Sequence, residues 1–116
     1  MDRRKELKQQ YKETRRSMGI FVVRSNLDST CYVEAAQELK GAMNSTKFKL
    51  RHGSHPNREL QSAWNAHGEA SFTMEILETL AYDETSPKTD YSDDLALLCT
   101  LWQEKLVGEN MALYAK

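Results

Sequence analysis

The sequence predicts a small α+β domain: a three-stranded, mostly antiparallel sheet flanked by helices in the order β-β-α-α-β-α, behind an extra helix at the N-terminus. Three observations carry that prediction. Residues 19–33 hold two apolar, β-rich runs around a turn. Residues 34–68 and 92–108 repeat apolar positions at helical spacing. Residues 72–77 alternate at the period of a strand.

Residues 1–17 read as a polar helix, with neither Gly nor Pro and with Leu7 and Tyr11 spaced i, i+4. The domain proper spans residues 18–116. Ile20, Phe21, Val22 and Val23 form a buried strand, because β-branched and aromatic side chains suit a pleated surface. Ser25, Asn26, Leu27, Asp28 and Ser29 carry turn chemistry, and Thr30 to Val33 return as the second strand of a hairpin. From Glu34 the period lengthens through Ala36, Leu39, Met43 and Leu50, giving a helix that Gly41 and the Asn44-Ser45-Thr46 triplet weaken in its middle. Arg51 to Pro56 is a loop. Asn57 caps the next helix, which carries Leu60, Ala63, Trp64 and His67 and stops at Gly68. Phe72, Met74 and Ile76 mark a third strand, and an acidic, Pro-containing loop covers residues 83–91. The last helix opens near Ser92, carries Leu95, Leu98, Cys99, Trp102 and Leu106, and ends at Gly108.

Composition narrows the function classes. The 116 residues are 40% hydrophobic and 28% charged, an ordinary globular balance suited to one domain. No apolar run reaches the ~20 residues of a membrane span, and the charged start lacks the apolar core of a secretory signal. Two cysteines without a CxxC make neither a disulfide scaffold nor a zinc site, which points to a reducing, cytoplasmic setting. The net charge of −1 hides an uneven distribution. Residues 39–58 contain Lys40, Lys47, Lys49, Arg51 and Arg58 and no acid, whereas residues 83–94 hold five acids against Lys88.

Gly19-Ile20-Phe21, the hairpin, and Tyr32-Val33-Glu34 resemble the two signatures of the GIY-YIG nuclease superfamily. The likeness continues through Leu39-Lys40, Gly53 to Asn57, Leu60-Gln61, Trp64-Asn65, His67-Gly68, Phe72 to Glu78 and the helix with Trp102, over residues 18–107. The resemblance implies the same three-stranded fold and a chemistry of one-metal phosphodiester hydrolysis. That chemistry needs a phenol near the attacking water, an arginine at the phosphate and a glutamate on a divalent cation.

Carried over position by position, the resemblance finds several of these parts replaced. Phe21 stands for the first tyrosine, and Glu34 for the glycine that follows the second. Ala42 stands for the arginine, Thr46 for a histidine, and Cys99 for the metal-binding glutamate, a soft ligand poorly matched to Mg²⁺. Leu95, Leu97 and Leu98 supply no carboxylate in its stead. Tyr32, His55 and Asn65 persist, and Tyr32 with His55 are the remnant catalytic candidates.

The expected function is therefore binding of DNA or RNA without cleavage, through Lys40, Lys47, Lys49, Arg51 and Arg58, with no cofactor and no membrane. Two alternatives stand beside it. One is a divergent endonuclease using Tyr32, His55 and Glu34 or Glu75, the only case that calls for Mg²⁺. The other is a protein-interaction module docking a partner through the acidic loop or the N-terminal helix. Trp64 and Trp102 are expected as core anchors, His67 as a helix-terminal residue, and Cys31 and Cys99 as unpaired thiols.

Overall fold

The computed structural model describes residues 17–82 and 90–114. The N-terminal helix expected over 1–17 and most of the acidic loop lie outside that range.

Strand β1 (Met18–Ser25) is the centre of the sheet. Its run of Met18, Gly19, Ile20, Phe21, Val22 and Val23 is buried on both faces, which suits a strand with a neighbour on each side. Strand β2 (Thr30–Ala36) pairs with it antiparallel, from Arg24 opposite Cys31 to Gly19 opposite Ala36. The turn between them closes as its residues suggest: Asp28 Oδ1 accepts the Thr30 N–H at 3.0 Å, and Ser25 Oγ accepts that of Leu27 at 3.2 Å.

Glu34, Ala35 and Ala36 belong to β2, so the helix that the period placed from Glu34 starts later, at Leu39. This helix, α1 (Leu39–Arg51), is unbroken. Glu38 caps it, accepting the Gly41 N–H at 2.6 Å, while Leu39, Thr46 and Leu50 hold its buried face. Helix α2 (Arg58–His67) is capped by Asn57 Oδ1 on the Leu60 N–H at 3.0 Å and ends at Gly68, whose φ of 84° favours glycine. A single 3₁₀ turn (Glu69–Ser71) leads into β3 (Phe72–Leu80), antiparallel to β1 on its other side. Helix α3 (Ser92–Gly108) follows, and Asn110, at a φ of 69°, turns the chain into β4 (Ala112–Leu113).

The sheet thus has four strands in the order β3-β1-β2-β4, with the short β4 parallel to β2. The expected three-stranded antiparallel core is present. The fourth strand is two residues long and leaves no periodicity to read.

Alternation along β1 divides the core between the two faces of the sheet. Phe21 and Val23 pack under α1 and α2 with Leu39, Leu50, Leu60 and Trp64. Ile20 and Val22 pack against α3 with Cys31, Val33 and Leu106. Gly19 is required where the strands approach most closely. A Cβ there would lie 2.0 Å from the Glu78 carbonyl oxygen, beside the register shift between β1 and β3 at Ile20 and Phe21.

Candidate functional site

On the α1–α2 side of the sheet, strand alternation places Tyr32 and Glu34 of β2 together, with Phe21 directly across from Glu34. The Tyr32 hydroxyl donates to Glu34 Oε1 at 2.5 Å, the short range of a charge-assisted bond. Burial, and then this bond and the Glu34 charge, push the phenol well above the ordinary tyrosine range. Tyr32 therefore keeps its proton and directs it at Glu34.

His55 stands edge-on to the Tyr32 ring, with centroids 5.0 Å apart and planes at 90°. It is 6% exposed, and burial holds its imidazole below the usual histidine value, with Glu34 opposing and Lys49 reinforcing the shift. Its Nδ1 accepts the Asn57 N–H at 3.0 Å, which makes the neutral ring with its proton on Nε2 the form that fits. Gln61 fixes the loop around it. Its Oε1 accepts the His55 N–H at 2.9 Å, and its Nε2 donates to Leu50 O and to Asn65 Oδ1, each at 2.9 Å. Asn65 is thereby tied into the join between α1 and α2. In sequence Gln61 stood out only as part of the Leu60-Gln61 pair of the resemblance, with no sign of its role in fixing this loop.

Phe21 is fully buried, and Ala42 sits half-buried in the same cluster, one turn before buried Thr46. No cation enters the site from these α1 positions. Cys99 packs partly buried on the α3 side among Ile20, Val22 and Trp102, and neither it nor Cys31 is in a disulfide. Cys99, where the resemblance places the metal-binding carboxylate, offers a soft thiol on the α3 side in place of a hard oxygen. Among the described residues no three His, Cys, Asp or Glu side chains converge to hold a metal ion, and Glu34 already accepts the Tyr32 proton.

Glu75, expected as a substitute carboxylate in the divergent-nuclease reading, points to the other face. It pairs with Val22 in register and forms an ion pair with Arg24 at 2.6 Å. Side chains of opposite strand parity cannot share a face, so Glu34 is the carboxylate beside Tyr32.

The five cations of residues 39–58 do not form one patch. Lys40, Lys47 and Arg51 follow one flank of α1 by their seven- and four-residue spacing, and all are exposed. Lys49 lies on the other flank, near enough to His55 to affect its charge. Arg58 opens α2. The stretch is free of acid in sequence but not in space. Glu69 accepts from Arg51 Nε at 2.5 Å and from Nη2 at 2.9 Å, a two-point clamp that occupies this guanidinium. Lys47 lines an open cavity of about 420 Å³ together with Val23, Trp64, Glu69, Phe72 and Met74.

Trp64 is a core anchor, stacked on Phe72 at 5.3 Å. Trp102 is half-buried against β3 and donates Nε1–H to Glu78 Oε1 at 2.8 Å. His67 is exposed in the last turn of α2. Among the described residues, no helix is long and apolar enough to cross a membrane.

No protein-family model and no curated protein matches the chain. Solved structures do. The catalytic domain of the homing endonuclease I-TevI matches with a TM-score of 0.67 and 24% identity, over 85% of this chain and 99% of that domain. A glutamate-to-alanine mutant of the same catalytic domain matches with a TM-score of 0.66 and 23% identity, over 85% and 92%. At such identities the likeness establishes architecture, and the architecture of this chain is the GIY-YIG-like nuclease fold.

Proposed function

We propose that this chain is a nuclease-like domain that binds nucleic acid and does not hydrolyse it. The observation that carries this reading is the Tyr32–Glu34 pair, in which the retained phenol spends its proton on a carboxylate at 2.5 Å. A general base needs a free proton-accepting site near the attacking water, and a phenol held above its ordinary pKa has none. A carboxylate at that point also repels the phosphate that a nuclease must admit.

The positions that the resemblance assigns to the electrophile and the metal ligand carry Ala42 and Cys99. Removal of a single such part costs about 10²–10⁴ in rate, and parts that act as a unit do not add. Binding has different requirements, which surface cations meet. Lys40 and Lys47 on one flank of α1, Lys49 on the other and Arg58 at the start of α2 are all exposed. Arg58 adds to the partial positive charge of the α2 N-terminus. Phosphate contacts by such residues supply most sequence-independent affinity.

The test is binding of labelled single- and double-stranded DNA and RNA, compared between the native chain and a Lys47→Glu, Lys49→Glu, Arg58→Glu variant. The expected outcome is salt-sensitive binding that the variant loses. Native binding that survives the three reversals would place the contact elsewhere.

A further inference from the structure

We propose that the outer face of α1 is a stacking platform for single-stranded nucleic acid, on which an unpaired base lies against the ring of Phe48. This inference rests on the nucleic-acid reading above and names the form of the ligand.

Leu39, Thr46 and Leu50 hold the buried face of α1. Phe48 lies two residues from both Thr46 and Leu50, about 200° around the helix from each, so it stands on the side away from the core. It is 60% exposed there, and an apolar side chain so exposed adds little to the stability of its own fold. Its ring is nevertheless held in place. His52, one turn on, stacks against it with centroids 4.1 Å apart and planes at 29°. The His52 Nδ1 lies 2.8 Å from the Phe48 carbonyl oxygen, which can only accept, so Nδ1 donates and fixes the imidazole. A ring already held in a stack loses little conformational freedom when a base is laid on it.

The charges around the ring select the occupant. Around the helix, Lys40, Lys47 and Arg51 flank Phe48 on one side and Lys49 on the other, all of them exposed. Two acids border this face. Glu38 sits at the start of α1, where it accepts the Gly41 N–H. Glu69 is clamped on Arg51 and lies within electrostatic reach of Lys47. An aromatic ring among amines matches a ligand that offers flat bases and an anionic backbone together. In the interior of a duplex the base faces cover one another, so an unpaired stretch is the form that can use Phe48. A membrane-surface helix needs a broad apolar stripe, whereas Asn44, Ser45, Lys47 and Lys49 surround this single ring. Residues 2–16 of the chain hold seven cations against three acids, so their charge does not match this face either.

Fluorescence anisotropy with the full chain compares four labelled probes of one length: oligothymidylate, oligouridylate, a DNA duplex and an abasic strand of deoxyribose phosphate. The native chain is expected to bind the two single strands more tightly than the abasic strand. Phe48→Ala should weaken binding of those two strands about tenfold, the scale of one base stacked on an aromatic side chain, with the salt dependence unchanged. Phe48→Leu, apolar but not flat, should behave like Phe48→Ala, and Phe48→Trp should keep native affinity. Binding to the duplex and the abasic strand should be the same in all four chains, whose circular-dichroism spectra should agree. Single-strand binding indifferent to Phe48→Ala, or an equal loss on all four probes, overturns the platform and leaves nucleic-acid binding standing. A native chain that binds no probe removes the underlying reading along with it. Phe48-dependent binding to phosphatidylserine vesicles or to polyglutamate, tighter than to oligothymidylate, would assign the face to a membrane or an acidic protein and overturn the proposal.

Discussion

At the scale of single residues, the positions that the resemblance assigns to catalysis carry other side chains in this sequence. Phe21 keeps the ring of the expected tyrosine and lacks its hydroxyl. Glu34 replaces the glycine after the second signature and binds Tyr32. Burial is the largest cause of the raised Tyr32 phenol and the Glu34 bond and charge come after it, so Glu34→Gln is expected to lower the Tyr32 pKa while leaving it above the ordinary range. Titration of ¹³C-labelled tyrosine by NMR reads that shift directly. His55 gives a second expectation with a definite sign. Its folded pKa lies below 6.5, so just under pH 6.5 the unfolded chain binds more protons than the folded one. Stability should therefore decline as the pH drops from about 6.5 toward the folded value. His55→Gln should flatten that part of the melting-temperature profile. That Phe21, Ala42 and Cys99 stand where the resemblance expects a tyrosine, an arginine and a glutamate is legible in sequence. The Tyr32–Glu34 bond is not, since it depends on two side chains of one strand turning toward each other.

At the scale of elements, strong periodicity and local chemistry were legible, and weak or borrowed structure was not. Asn57 and Gly68 bound α2 as their chemistry dictates. The hairpin turn closes through Ser25 and Asp28. Glu34 to Ala36 were read as helical because alanines carry little strand signal, yet pairing with β1 holds them extended. Strand β4 and the 3₁₀ turn are too short to leave a pattern. Gly19 shows why the first signature contains a glycine: the β3 backbone occupies the space a Cβ would need. Gly19→Ala should destabilise the domain by about 1–3 kcal/mol, the usual cost of overpacking, and thermal unfolding measures it. Glu69 carries the opposite kind of expectation. Glu69→Gln releases Arg51 and removes an acid from the α1 flank. Nucleic-acid affinity should then rise, and the salt dependence should steepen by about one phosphate contact.

At the scale of the whole molecule, the sheet separates two surfaces that differ in chemistry. The α1–α2 side carries the exposed cations of α1 and α2 around the Tyr32–His55 pair. The α3 side carries the exposed leucines Leu97 and Leu101. The architecture matches a homing-endonuclease catalytic domain, and architecture by itself does not fix function.

Fluorescence anisotropy of labelled DNA and RNA oligonucleotides, at low and moderate salt with Mg²⁺ present, tests the central claim most directly when the same samples are afterwards run on a denaturing gel. The expected result is binding that weakens steeply with salt and leaves every oligonucleotide intact. Cleavage that disappears in Tyr32→Phe would contradict the loss of catalysis. Absence of binding even at low salt would contradict the nucleic-acid function itself.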